Sequence, residues 1–134
     1  MKATALALAL LIGLFTTAAV SAAEIPVVST SPVNLRAGPG VNFPVVVRLP
    51  SGAPLVLHGC VEGYAWCDVS WGAERGWLAS AYLGRMYRGA PVALTAAAAA
   101  RLGIAIVAFD AGYWHRYYLG RPWFPRWRYY HRWW

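Results

Sequence analysis

Groups that do chemistry are few in this chain. Its 134 residues hold five acids, three histidines and two cysteines. Catalysis needs a nucleophile beside a base, a pair of convergent carboxylates or a metal cluster, and none of these forms at a convincing spacing. His58, Cys60 and Cys67 would make a three-ligand zinc set, a weaker reading than a cysteine pair. No catalytic residue, metal or cofactor is therefore expected. The only acid after Leu83 is Asp110, and Tyr113 to Trp134 has none. Lysine occurs once, at Lys2, ahead of an apolar run from Ala5 to Phe15. That run is about half the ~20 residues that span a bilayer.

With small residues Ser21-Ala22-Ala23 before Glu24, residues 1–23 read as a secretory signal peptide. Removing them leaves 111 of the 134 residues, enough for one domain and an appendage. Charge divides sharply along that remainder. Residues 24–83 carry three arginines against four acids, a net charge of −1, whereas residues 84–134 carry eight arginines against one acid, a net charge of +7. An acidic partner is to be sought at the second part. In an exported chain two cysteines read as a disulfide by default. Cys60 and Cys67 are separated by six residues that include Gly63, a turn former that lets them face each other across two antiparallel strands.

The stretch Val33-Asn34-Leu35-Arg36-Ala37-Gly38-Pro39-Gly40 is an alternating strand that runs into a rigid turn, where Gly38 and Gly40 are able to take positive φ. Glu24 to Pro32 reads as a lead-in. Further strands are expected at Val45–Leu49, Leu55–Val61, Ala65–Ser70 and Glu74–Leu78, with a 3₁₀ turn at Ser80-Ala81-Tyr82. Five short strands with turns between them predict an all-β fold, a small barrel or sandwich.

The order V-N-L-R-A-G-P-G, N-F-P-V, L-P-S-G-A-P-L, W-C-D-V and R-G-W-L-A-S-A-Y-L, from Val33 to Leu83, resembles the bacterial SH3 domain family. The resemblance implies a five-stranded SH3-like barrel over residues 24–83, of the kind found in exported and cell-wall-associated proteins. Some cell-wall cysteine peptidases carry such domains, but nothing left in this chain is long enough for a peptidase domain. The chain departs from the pattern at Gly63-Tyr64-Ala65-Trp66, which lengthens the turn before the fourth strand. By resemblance the ligand is peptidoglycan or an envelope protein, and the place is the periplasm or cell envelope. Phe43, Tyr64, Trp71 and Tyr82 fall in or beside turns and are the candidates for an exposed groove. Trp66 and Trp77 occupy strand positions suited to the core or its rim. Arg36 either pairs with a ligand carboxylate or braces the opening loop.

Residues 84–134 read as an extension of mixed or irregular structure. Positions 91–109 are apolar apart from Arg101 and long enough for one membrane span. A central arginine costs about 2.5–3.5 kcal/mol against a return of about 2–4 from the aliphatic residues and Phe109, so insertion is balanced. The other reading packs this stretch on the barrel, with a short helix at Ala96–Ala100 and an extended piece at Ile104–Phe109. Tyr113 to Trp134 holds eleven aromatics and five arginines in 22 residues. Arg121, Trp123, Arg126, Trp127, Arg128 and Trp133 are the candidates for contact with an anionic membrane or glycan. Export argues against nucleic acid. The plainer alternative is a helical turn at Tyr113–Leu119 and a loosely ordered end from Arg121.

Overall fold

A computed structural model describes residues 12–14, 25–132 and 134. The expected signal peptide, apart from residues 12–14, lies outside the described residues, and so does Trp133. The chain builds an eight-stranded antiparallel sheet in the order β3-β2-β6-β5-β4-β1-β7-β8. Five strands match expectation to within a residue at each end: β2 (Val33–Arg36), β3 (Val45–Leu49), β4 (Pro54–Cys60), β5 (Trp66–Trp71) and β6 (Glu74–Ala79). The 3₁₀ turn is at Ser80–Tyr82.

Three further strands widen the sheet. The stretch read as a lead-in forms β1 (Ile25–Ser29), which pairs with β4 along Ile25–Val28 and with β7 at Val28 and Ser29. Pro26 and the polar Ser29-Thr30-Ser31 hide this strand in the sequence. Pro26 is tolerated because β7 reaches only the far end of β1, so no ladder bond is lost on that side. Ser29 is buried, and its hydroxyl donates to the Pro50 carbonyl at 2.6 Å and accepts from the Ala53 amide at 2.9 Å. Beyond residue 83 the sheet continues as a hairpin of β7 (Leu83–Tyr87) and β8 (Ala90–Ala93), turned by Arg88 and Gly89, both at positive φ. Positive φ at both central residues matches the right-handed twist of the flanking strands.

Period-two alternation sorts the strands into two faces. On the inner face, Leu35, Leu49, Leu55, Leu57, Val69, Leu78 and Leu83 form one core with the Cys60–Cys67 disulfide. The two cysteines are directly opposed in the β4–β5 ladder. Leu94, Ala99 and Ile104 from the extension join the same core. The outer face carries Trp66, Asp68, Arg75 and Trp77, and the rest of the extension packs there.

The extension is not a loose end. Short helix α1 (Ala96–Arg101) is capped by Thr95, whose hydroxyl accepts from the Ala98 amide, and ends at Gly103 with φ 65°. The expected extended piece follows as an irregular segment bridged to β4: the Cys60 amide donates to the Ala105 carbonyl, and the Val107 amide to the Cys60 carbonyl. A Cβ on Gly59 would approach the Ala105 carbonyl to 2.8 Å, so only glycine lets this segment lie on the strand. Positions 91–109 are thus a strand, a six-residue helix, a turn and a bridged segment. Among the described residues no helix is long and apolar enough to cross a membrane, which corrects the single-span alternative. Helix α2 (Ala111–Tyr118), capped by Asp110, contains the expected helical turn. Residues 121–132 are folded rather than loose: a 3₁₀ turn at Phe124–Arg126 leads into α3 (Trp127–His131). The indole of Trp114 fastens it by donating to the Phe124 carbonyl at 2.9 Å.

Together these elements close a second core over the outer face. Trp77 of β6, Ala37 and Phe43 of the opening loop and Val61 just past β4 meet Phe109, Tyr113, Trp114 and Tyr118 from the extension. The rings pack edge to face or tilted, Phe43 against Phe109 at 5.1 Å and Trp77 against Phe109 at 5.6 Å, the arrangement aromatic quadrupoles favour. Phe43, expected in an exposed groove, is therefore buried, with 2% of its surface exposed. The opening turn also works differently from its expectation. Gly38 and Gly40 do not have positive φ; instead a Cβ on Gly38 would clash with the Phe43 ring.

Gly38→Ala should therefore overpack this site and cost about 1–3 kcal/mol, lowering the midpoint of thermal unfolding, and adding Phe43→Leu should recover part of the loss. A Gly38→Ala protein as stable as the parent in calorimetry would show that the ring moves freely.

Candidate functional site

A groove of about 260 Å³ opens at one end of β2, between the opening loop and the 3₁₀ turn. Asn34 and Arg36, two apart on β2, present the same face, and Asn34 pairs across the ladder with Arg48 of β3. The Arg48 guanidinium donates to the Asn34 side-chain oxygen at 3.2 Å, which holds both side chains in place. Tyr82 and Val41 stand exposed at the rim. Half-buried Trp66, at the start of β5, forms part of the lining and also packs against the second core.

Arg36 braces the opening loop. Its guanidinium donates to the Phe43 carbonyl at 3.0 Å, while the side chain still lines the groove. Two guanidiniums, one indole and one phenol meet here, and no acid is among the lining residues. Such a surface takes an anionic group beside an apolar or planar one.

Of the five residues singled out from the sequence, Arg36 and Tyr82 lie in this groove and Phe43, Tyr64 and Trp71 do not. Tyr64 sits at φ 61° in the β4–β5 connection, half-buried against the first core. Trp71 closes β5 and packs on the same core. Asn34, Val41, Arg48 and Trp66 were missed as site residues. The alternation Asn34-x-Arg36 was the signal available for the β2 face, whereas Arg48 needed the β2–β3 register.

The candidates in the extension are mostly spent on internal contacts. Arg121 donates to Glu74 at 2.7 Å, and Trp123 and Trp127 are half-buried against the second core. Arg126 lies over the Tyr129 ring at 4.6 Å and the Tyr130 ring at 5.5 Å, and Arg128 is exposed.

A polar node under α2 anchors this layer. Asp68, 3% exposed, receives both Nε and a terminal nitrogen of Arg75 at 2.7 Å, and the Tyr113 hydroxyl donates to it at 2.7 Å. Tyr118 donates to the Arg75 carbonyl at 3.2 Å, and the Arg75 guanidinium lies 4.7 Å from the Tyr117 ring centre. Burial alone would lower the pKa of Arg75, but the hydrogen bond and charge of Asp68 outweigh it and raise the value. Burial, reinforced by the neighbouring Tyr118 and Asp68, raises that of Tyr113, and burial raises that of Tyr118 too. Arg75, Tyr113 and Tyr118 are thereby held far from exchanging a proton near neutrality. Among the described residues, no cluster of three metal-ligating side chains occurs.

The fold is all-β, an eight-stranded antiparallel sheet with an SH3-like domain. Residues 31–84 match the family model for the bacterial SH3 domain, a kind of module that commonly binds rather than catalyses. A stretch of 69 residues is 29% identical to the uncharacterized protein YraJ of Bacillus subtilis (strain 168), covering 44% of this chain and 58% of that protein. The chain thus spans less than two thirds of the length of this relative. No solved structure matches the chain. A bacterial SH3 domain with a disulfide fits an extracellular or envelope protein.

The tyrosines give a pH test of the anchored layer. An unfolded tyrosine ionises near pH 10, whereas Tyr113 and Tyr118 stay neutral beyond that in the folded state. Their contribution is complete below about pH 10 and is lost as pH rises towards their folded values. Stability should hold up to about pH 9 and fall above about pH 10, with two of the eight tyrosines ionising only as the fold is lost. Spectrophotometric titration alongside near-ultraviolet circular dichroism checks this, and ionisation of all eight before any loss of dichroism would refute it.

Proposed function

We propose that this protein is an exported, non-catalytic component of the bacterial cell envelope. In this reading its SH3 domain, residues 24–83, holds an acidic peptide of peptidoglycan or of an envelope protein in the groove of Arg36, Arg48, Trp66 and Tyr82. The supporting observation is the composition of that groove: two guanidiniums beside an indole and a phenol, with no acid among the lining residues. Stem peptides of peptidoglycan offer free carboxylates that a guanidinium fork accepts. The apolar run at Ala5–Phe15 and the disulfide support export.

Arg36→Gln and Tyr82→Ala should each weaken retention of the protein on purified cell wall by about tenfold, the equivalent of 1.4 kcal/mol. Arg88→Gln, exposed in the β7–β8 turn away from the groove, should leave it unchanged. No retention at low salt, or equal retention of the groove variants, would sink this reading.

A second reading gives the extension an anionic surface, lipid or glycan, as its partner. Exposure of Arg116, Arg126 and Arg128 favours it. Burial of Trp123 and Trp127 leaves that contact mainly electrostatic, so its strength should fall steeply with salt. Replacing these three arginines by glutamine should release the protein from anionic vesicles or acidic glycan while leaving cell-wall retention through the groove intact.

A further inference from the structure

On the far end of the sheet, the β7–β8 hairpin and α1 enclose a second cleft of about 250 Å³. Arg85 and Tyr87 alternate on β7, and Val92 lies opposite Arg85, so these side chains share the face turned to the helix. Leu94, Ala98 and Leu102 complete an aliphatic wall, and Arg101 stands at the end of α1. Tyr87 and Val92 are 56% and 51% exposed, so nothing in the chain's described part covers this outer part of the wall, while Leu94, buried in the first core, forms its floor.

Charge at this cleft is unbalanced. Of the acids described, Asp68 pairs with Arg75, Glu74 pairs with Arg121, and Asp110 caps α2. Glu62 lines another depression, beside Val107 and Phe109. Arg85 and Arg101 have no ion pair among the described residues. An aliphatic slot lined by two exposed arginines that have no ion pair among the described residues complements a single aliphatic chain that ends in an anion, the chain desolvated by the wall and the head held at the edge by the arginines. The volume lies just under the range of about 300–1,000 Å³ for drug-sized sites, which suits one short chain and not a two-chain lipid.

We infer that the cleft between the β7–β8 hairpin and α1 is a binding site for a free, single-chain anionic amphiphile, a medium-chain carboxylate being the simplest. This site is separate from the peptide groove at Arg36 and does not depend on it.

The probe is decanoate below its micelle concentration, added to the purified, disulfide-intact protein and followed by amide chemical shifts. Saturable shifts at Leu94, Ala98 and Leu102 are expected. Arg85→Gln and Arg101→Gln should each weaken binding about fivefold, and decanol should bind at least about tenfold more weakly than decanoate. Ala98→Trp should fill the slot and block binding; if that variant fails to fold, the glutamine variants carry the test. Absent shifts, or equal binding of decanol, would overturn the inference. So would binding of phosphatidylglycerol vesicles through the same arginines with decanoate inert, which would make this a membrane contact. A dimer dissociated by filling the slot would overturn it too, since a second copy would then be the occupant.

Discussion

The carboxylate of Asp68 is placed by strand alternation on the outer face of β5, where an uncovered sheet would leave it in water. Here it lies beneath α2, and a buried charge of this kind is tolerated only when paired and fully hydrogen-bonded. Arg75 from the adjacent strand supplies a two-point ion pair, and Tyr113 from the extension supplies a third donor. The pair alone could exist on a bare barrel. The Tyr113 hydroxyl turns it into a lock, because its register on Asp68 fixes α2 against β5 and β6. The aromatic rings of the second core then pack around that fixed point, and Arg121 meets Glu74 at the next position along β6.

This lock changes the meaning of the composition of residues 84–134. A run of eleven aromatics and five arginines invites a reading as a surface for lipid or glycan, since exposed rings and guanidiniums serve both. Once the rings face Trp77 on the outer sheet surface and Phe43 and Val61 in the loops beside it, the same residues become core. Arginines divide between the two roles: Arg121 is consumed by Glu74, while Arg128 stays exposed.

What the sequence discloses follows the range of the interactions. Local signals gave the five strands β2 to β6, the turn at Gly63 and the 3₁₀ turn at Ser80–Tyr82, because alternation and turn chemistry act over a few residues. The disulfide was legible from six intervening residues and one glycine. β1 was not, since Pro26 and Ser29 contradict strand propensity and are compensated only by partners at Val56, Pro50 and Ala53. Phe43 was misplaced for a similar reason: it sits in a turn, yet its ring is covered by Phe109, sixty-six positions on. In the groove, Arg36 and Tyr82 were found from their neighbours along the chain. Arg48 and Trp66 enter it through cross-strand pairing, which a single sequence does not display.

The groove and the extension are physically joined although no described residue of the extension lines the groove. Arg36 holds the opening loop through the Phe43 carbonyl, and the Phe43 ring on the other side of that backbone rests on Phe109 and Tyr130. Trp66 lines the groove while packing against the same aromatic layer. Two walls of the groove thus take their positions from rings that lie outside the family match at residues 31–84. A barrel without this layer would keep its inner core, yet Phe43 and Trp77 would face solvent and the opening loop would lose its floor. The basic, aromatic extension supports these groove residues from behind, and the polar node at Asp68 sets where that support sits.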